Sequence, residues 1–425
     1  MHTYPDSVRF LYSLGNEIKA VKFGLETIRA VLDALGNPHT GPRFVHVAGT
    51  NGKGSTCAMI ESALRAAGFR TGLYTSPHLL EPTERIQVEG APVSRDEFVA
   101  AFHAVHDAAE RLFSAGRIEH HPTYFETVTA MGLLIFRERG VERVVLEVGL
   151  GGRLDATNAV TPELCVITPI DYDHEAWLGN TIEAIAREKA GILKPGVPVV
   201  SAHQRIEAQA VLMRRSEDLH CELIQSNSDA AFEADARGST IHWEGLTLRC
   251  PLAGLHQVEN TITAATALKQ LGVAPGAIEK GIARTRWPGR LEYLAQSPDI
   301  IADGAHNPAG ARALADYISR FHKGRKVWLI YGAMRDKSVG EIADTLFPLA
   351  DELILTAPSS ARSLDPASLL SLCGNVNART APGLPSAVRM AQAGAAPEDA
   401  IFISGSLFLA GEARALFCHD HDSEP

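Results

Sequence analysis

No apolar run in this 425-residue chain approaches the roughly 18–20 residues needed to cross a bilayer; the longest candidates, such as Ala130–Phe136, have the length of a core strand or a short core helix. The N-terminus lacks the unbroken apolar stretch of a secretory signal, because Asp6, Arg9 and Asn16 interrupt it. None of the six cysteines (Cys57, Cys165, Cys221, Cys250, Cys373, Cys418) stands in a CxxC pair. That argues against a zinc or redox module and for reduced, buried thiols. An excess of positive charge is missing too. A net charge of −10 argues against a general nucleic-acid grip, while a local cluster of donors could still hold a small anion. Repeats and low-complexity tracts are absent. These absences lead us to expect a cytoplasmic, soluble protein with neither a membrane nor a nucleic acid as partner.

What is present is globular in character, with 45% hydrophobic and 21% charged residues and length for about two to three domains. The first clear unit is a strand, a glycine loop and a helix. Phe44–Ala48 is a short apolar run, Gly49–Gly54 cannot form regular structure, and Ser55–Ala67 carries apolar residues at helical spacing, ended by Gly68. Thr71–Thr75 reads as the next strand. Arg143–Val148, Leu164–Thr168 and Val197–Ser201 follow as strands among helical patterns, the alternation of a largely parallel sheet covered by helices. A turn-rich joint at Trp287-Pro288-Gly289-Arg290 precedes a second α/β unit. Its expected strands are Ile300–Asp303, Lys326–Tyr331, Glu352–Thr356 and Ala400–Ser404, and its expected helices Ala309–Phe321, Val339–Leu349 and Ser386–Gly394. We therefore expect an N-terminal unit over 1–287, a linker over 288–297 and a smaller C-terminal unit over 298–425, with a frayed tail from His419.

The glycine loop carries the strongest chemical signal. A strand feeding a glycine turn and then a helix aims backbone N–H groups and the positive helix end at one spot. Lys53 adds a cation for terminal phosphates, and Ser55 or Thr56 can reach a magnesium ion. The pattern departs from G-x-x-x-x-G-K-[ST], because Val47 occupies the first glycine position and Gly54 follows the lysine. A glycine turn with a surface lysine is the plainer alternative. Taken alone, Glu147 also reads as an ion-paired acid at a strand end, His174 as a hydrogen-bonded loop histidine, Phe125 as a core ring and Arg290 as a salt bridge across the joint.

Ala48–Thr56 (AGTNGKGST) resembles the phosphate loop of the Mur-ligase superfamily, and specifically of the folylpolyglutamate synthase/dihydrofolate synthase family. Further blocks resemble that family in chain order: Thr75–Leu79 with Glu84-Arg85-Ile86, Thr123 with Phe125-Glu126, Glu147–Asn158, Asp173-His174, Glu188–Ile192, His256-Gln257 with Asn260, Trp287–Arg290, Asp303–Pro308 and Gly405-Ser406-Leu407. The resemblance spans nearly the whole chain. It implies an α/β fold with a Mur-ligase-type P-loop ATP-binding domain on a mostly parallel sheet and a smaller Rossmann-like C-terminal domain.

The implied activity is ATP-dependent addition of L-glutamate to dihydropteroate and to tetrahydrofolate and its polyglutamates, through an acyl phosphate. The resemblance implies ATP contacts at Asn51, Gly52, Lys53, Gly54, Ser55, Thr56, Asn260, Arg290 and Asp303. Magnesium ligands are implied at Ser76, Glu147 and His174, for Mg²⁺ bound as two ions. Folate or pteroate contacts are implied at Arg85, Thr123, Tyr124, Phe125, Glu126, Leu154, Asp155 and Ala156, and glutamate contacts at His306 and Ser406. Lys53, Lys189 and His306 are the implied catalytic groups, with Lys189 carbamylated. A monomer is implied, and a need for K⁺ stays open. A Mur-type ligase acting on another carboxylate would usually carry an extra sugar-nucleotide domain ahead of the loop, where only about 40 residues stand. A nucleotide switch without ligase chemistry would leave Lys189 and the folate-side blocks unexplained.

Overall fold

The computed structural model describes residues 3–15, 24–226, 229–335, 337, 339–374 and 377–418. The tail from His419 lies outside these, as do Asp336, Ser338 and the Cys418 side chain. The first sheet has eight strands: β1 (Arg43–Ala48), β2 (Thr71–Tyr74), β3 (Ile86–Val88), β4 (Ala91–Pro92), β5 (Arg143–Glu147), β6 (Leu164–Ile167), β7 (Val199–Ser201) and β8 (Leu223–Gln225). Their order is β4-β3-β2-β5-β1-β6-β7-β8, parallel except for the β2-β3-β4 meander at one edge. The β1 strand is buried from Phe44 to Ala48 on both faces, as a central strand between helical layers should be.

Register sets the site. Val47 lies beside Glu147 of β5 on one side and beside Val166 of β6 on the other. The loops leaving β1, β5 and β6 therefore emerge together at the carboxyl edge of the sheet, the crevice where open α/β sheets bind ligands. The helix Lys53–Ala66, buried from Gly54 to Leu64, packs between this sheet and the helices His256–Gln270 and Pro275–Ala283. A Cβ on Gly281 would come within 2.2 Å of the Ala63 Cα, so two helix backbones nearly touch there, and Ser62 Oγ donates to Gly281 O at 2.7 Å.

A three-stranded antiparallel sheet, β9 (Ala231–Ala234), β10 (Ser239–Trp243) and β11 (Leu246–Cys250), covers one flank of those helices. The sequence reading did not anticipate it. Its tight turn holds Glu244 at φ 45° and Gly245 at φ 82°, the left-handed pair that suits a two-residue hairpin.

The last sheet joins β12 (Glu292–Ala295), β13 (Asp299–Ala302), β14 (Val327–Tyr331), β15 (Glu352–Leu355), β16 (Ala378–Thr380) and β17 (Ala400–Ser404) in the order β12-β13-β17-β14-β15-β16. Only β12 is antiparallel to its neighbour. It lies inside the span expected as a linker, because alternate pairing with β13 gives residues 292–295 a ladder. Of the cysteines, Cys57, Cys165, Cys250 and Cys373 are buried and free as expected, whereas Cys221 is only half-buried. Among the described residues no helix is long and apolar enough to cross a membrane.

Candidate active site

A cavity of about 650 Å³ opens where the loops after β1, β5 and β6 face the ends of β13 and β17. The β1 loop is shaped by two positions that only glycine suits. Gly49 has φ 148° and a Cβ there would lie 1.9 Å from Thr168 Oγ1; Gly52 has φ 83° and would strike the Asn260 side chain at 2.2 Å. The N–H groups of Thr50 and Asn51 donate to Pro169 O at 2.9 and 3.3 Å, which ties this loop to the loop after β6. Lys53, the first residue of the following helix, curls back to donate from Nζ to Thr50 O at 3.0 Å. Gln257 links the floor by donating to Ser55 Oγ (3.3 Å) and accepting from Asn260 Nδ2 (3.0 Å).

Buried charge is concentrated on this wall. Lys189, at the end of the helix Ile182–Lys189, is 5% exposed and donates from Nζ to Gly49 O at 2.7 Å. Burial, seconded by the Lys53 charge, lowers its ammonium to about 7, so a large fraction is neutral amine near neutral pH. Glu147, at the end of β5, is 4% exposed and accepts from Ser76 N at 3.2 Å. Burial pushes its carboxyl up to about 7 against the opposing pull of Lys53. Asp155 is pushed up to about 6 by burial although Leu150 N (2.8 Å) and Thr157 N (3.0 Å) both donate to it. His174 sits in the left-handed region at φ 52°, and burial lowers its ring to about 4, which leaves a neutral imidazole available as a ligand. Burial alone would raise the Asp173 carboxyl; the His174 and His306 rings and the Lys337 ammonium, bonded at 2.8 Å, together hold it far below the usual range.

The opposite wall comes from the C-terminal sheet. Asp303 follows β13 and accepts from Leu291 N and Ala305 N, both at 2.9 Å. Arg290 donates to Gly289 O at 3.0 Å, and a Cβ on Gly304 would lie 2.5 Å from its Nη1. His306 holds Gly304 O through Nδ1 at 2.7 Å, and burial lowers its ring to about 4. Ser406 is buried and its Oγ accepts from Leu409 N at 3.1 Å, capping the final helix. Asn307 Nδ2 bridges the walls, donating to Asn51 Oδ1 (3.0 Å) and Asp173 Oδ2 (3.1 Å).

Toward the β5 end, Thr123 and Glu126 form a capping box on the helix Tyr124–Glu138, with Thr123 N donating to Glu126 Oε2 at 2.8 Å. Phe125 presses on the backbone at Gly149, where a Cβ would lie 2.5 Å from the ring. Leu154, Asp155 and Ala156 line the same end. Every residue singled out from the sequence lines the cavity except Thr56 and Arg85. Thr56 is one step round the helix from Ser55 and fully buried. Arg85 lies behind the wall, donating from Nε to His78 Nδ1 (2.8 Å) with its guanidinium 5.2 Å from the centre of the Tyr124 ring.

The lining also includes Asp173, Arg205, Asn307, Lys337 and Arg362, to which the sequence reading gave no role. Asp173 and Asn307 sat inside recognised blocks; Arg205 had no local signal. Among the described residues no group of three or more His, Cys, Asp and Glu is arranged to hold a metal. Ser76, Glu147 and His174 together offer a sparse donor set around a buried carboxylate that the Lys53, Arg290 and Arg85 charges only partly offset. Such a set fits Mg²⁺ that keeps waters and phosphate oxygens as ligands.

Residues 47–268 match the family described as the Mur ligase middle domain, and residues 289–407 match the Mur ligase glutamate ligase domain. A Bacillus subtilis dihydrofolate synthase/folylpolyglutamate synthase is 38% identical over 75% of this chain and 77% of its own length. A Mycobacterium tuberculosis protein of the same name is 34% identical over 93% and 90%. Against a Haloferax volcanii protein named as a probable bifunctional folylpolyglutamate synthase/dihydropteroate synthase the identity is 36%, and there the chain spans about half the relative's length (97% of this chain, 50% of the other). Among solved structures, Mycobacterium tuberculosis folylpolyglutamate synthase complexed with ADP superposes with a TM-score of 0.91 at 31% identity, covering 97% of this chain and 98% of that one. The Escherichia coli FolC in complex with DHPP and ADP gives 0.88 at 31%, covering 99% and 100%. With the glycine loop, the two-walled cavity and full-length likeness all in agreement, the chain belongs to the folylpolyglutamate synthase/dihydrofolate synthase family of the Mur ligase superfamily.

Proposed function

We propose that this chain is an ATP-dependent ligase that joins L-glutamate to dihydropteroate, and to tetrahydrofolate and its polyglutamates. The observation that carries the reading is the single cavity in which a phosphate loop, a buried acid and lysine, and an aromatic-walled end converge between two units. A carboxylate cannot form an amide directly, because its oxide is a poor leaving group. One acceptor carboxylate oxygen therefore attacks the γ-phosphorus of ATP, the bond to the β-phosphate oxygen breaks, and ADP leaves. The glutamate amine, after losing a proton from its ammonium, then attacks the acyl carbon and inorganic phosphate departs with the electron pair of the C–O bond. Positioning and charge stabilisation supply most of the catalysis.

Asn51 to Ser55 cradle the phosphates, and Lys53 swings from Thr50 O to the γ-phosphate. Thr56 follows them into the helix, its N–H on Gly52 O at 2.9 Å. Asn260, Arg290 and Asp303 hold the nucleoside side between the units. Ser76, Glu147 and His174 would hold Mg²⁺, as two ions, whose positive charge would offset the negative charge on the transferred phosphoryl group; whether K⁺ is needed is a matter for assay. Thr123, Tyr124, Phe125, Glu126, Leu154, Asp155 and Ala156 form the pteroate end, with Arg85 bracing Tyr124. His306 and Ser406 receive glutamate. Lys189 is carbamylated: its neutral amine adds to CO₂, an N–C bond forms and one proton is released. The lowered ammonium supports this, since only the free amine reacts.

We further assign residues 1–287 to the ATP- and folate-side unit and 298–425 to the glutamate-side unit, with 288–297 joining them, and take the working species to be a cytoplasmic monomer without nucleic-acid or membrane partners. Incubating the enzyme with ATP, Mg²⁺ and glutamate, in parallel with dihydropteroate or tetrahydrofolate, gives each acceptor one added glutamyl unit by mass spectrometry. ATP turnover without any glutamylated product would overturn the reading.

A further inference from the structure

The helix Pro308–Phe321 of the C-terminal sheet unit meets the N-terminal unit at several points, and near its far end Tyr317 Oη donates to Ala236 O at 2.8 Å. Asn307, its cap, is one, through Asn51 and Asp173. Another lies five residues on, where Arg312 Nη2 stands 2.7 Å from Asp171 Oδ2. The second carboxylate oxygen of Asp171 accepts from Arg205 Nη1 at 3.1 Å and from Tyr172 N at 2.9 Å. The backbone of Asp171 is fastened to the phosphate loop: Thr50 Oγ1 donates to Asp171 O at 2.9 Å and accepts from Asp171 N at 3.1 Å. One residue is thus joined through its main chain to the loop that faces phosphate and through its side chain to the other unit.

Exposure separates this contact from a buried structural pair. The Asp171 side chain is 19% exposed, but those of Arg312 and Arg205 are 57% and 48% exposed. An ion pair so open to water forms and breaks readily and contributes little to the fold itself. Its effect falls on the equilibrium between closed and open arrangements of the two units, to which any ligand held by both walls is linked.

We propose that Asp171 and Arg312 are positioning residues that latch the C-terminal unit over the phosphate loop. Arg205 holds the Asp171 carboxylate at the proper angle from its own side. The nucleotide-binding arm of the test rests on the functional reading above; the scattering arm does not. For an exposed pair the expected loss in affinity is about two- to fivefold.

Calorimetric titration of the full chain with a non-hydrolysable ATP analogue and Mg²⁺ is compared for the wild type, Asp171→Asn, Arg312→Gln and the double variant. Asn keeps an oxygen for Tyr172 N, so the turn survives. Each single variant binds about two- to fivefold more weakly, and the double variant is no weaker than the worse single one. Arg312→Lys recovers part of the loss, and the differences vanish in about 0.5 M salt, where the Debye length is about 4 Å. Arg320→Gln, which removes an exposed pair with Asp316 on the same helix, binds as the wild type does. Without ligand, small-angle X-ray scattering gives Arg312→Gln a larger radius of gyration, while its melting temperature stays near that of the wild type. Unchanged affinity and scattering, or losses that add in the double variant, would overturn the latch alone. A wild type that does not bind the analogue overturns the functional reading, and the scattering comparison still decides the latch.

Discussion

Buried charges on facing walls of the cavity are held in different ways at Glu147 and Lys189 on one side and at Asp303 on the other. On the N-terminal wall, Glu147 and Lys189 are almost fully buried, Glu147 accepting from Ser76 N and Lys189 donating to Gly49 O, and burial moves both toward their neutral forms. On the C-terminal wall, Asp303 is as deeply placed, yet a backbone N–H group donates to each of its oxygens. Ser406 likewise caps a helix and Asn307 both caps one and bridges the walls. A buried ion whose partners do not offset burial is held at the expense of stability and gains when a ligand supplies further charge; one bonded by two backbone N–H groups holds a loop in shape. Glu147 and Lys189 are therefore placed to respond to arriving charge, and the two N–H groups on Asp303 keep its loop in shape.

The hardest test of that contrast is Lys53→Ala. Removing the only lysine of the phosphate loop lowers kcat by about 10²–10³-fold, the usual loss for a group aimed at developing charge, measured as phosphate release with the acceptor and glutamate saturating. A loss below tenfold would move the phosphoryl chemistry off this wall.

Next in size is a pair of stability measurements with opposite signs. The Glu147 carboxyl titrates near 7 in the fold against 4.5 when unperturbed. The protonated form is favoured, so its contribution is full below about pH 4.5 and is lost as pH rises through about 7, a swing of roughly 3 kcal/mol. In metal-free protein, Glu147→Gln removes that slope, and the variant melts above the wild type at pH 8, with the gap closing toward pH 5. Asp303→Asn moves the other way at every pH in that range, by about 1–3 kcal/mol, because one buried N–H loses its acceptor. Two destabilised variants with parallel pH profiles would erase the contrast. The smallest effect separates the two ends of one wall. Gly149→Ala pushes a methyl group into the Phe125 ring. It raises KM for the pteroate acceptor about tenfold, a loss of roughly 1.4 kcal/mol in binding, and leaves KM for ATP unchanged in steady-state kinetics.

The legible part of the molecule was the part written in consecutive residues. The β1 strand, the glycine loop and its helix follow one another without a gap, so hydrophobic pattern and glycine placement fix them locally. The cavity lining followed from ordered blocks for the same reason. Thr56 and Arg85 show the limit of that reading: they stand beside lining residues in sequence, but a helix turns about 100° per residue and the 3₁₀ turn Pro82–Arg85 points its arginine behind the wall. The hairpin β10–β11 is written in the alternation of Ile241, Trp243, Leu246 and Leu248 around Glu244-Gly245, a short-range signal weaker than the glycine loop's. Asp171 meeting Arg312 was not available at all, since 141 positions separate them and only the docking of two sheets brings them together.

The most direct test of the account follows oxygen. With ¹⁸O in the acceptor carboxylate, one turnover with ATP and glutamate delivers one labelled atom to inorganic phosphate, because that oxygen first attacks phosphorus and later leaves the acyl carbon. Glutamylated product accompanied by unlabelled phosphate would contradict the acyl phosphate, and with it the assignment of the N-terminal wall.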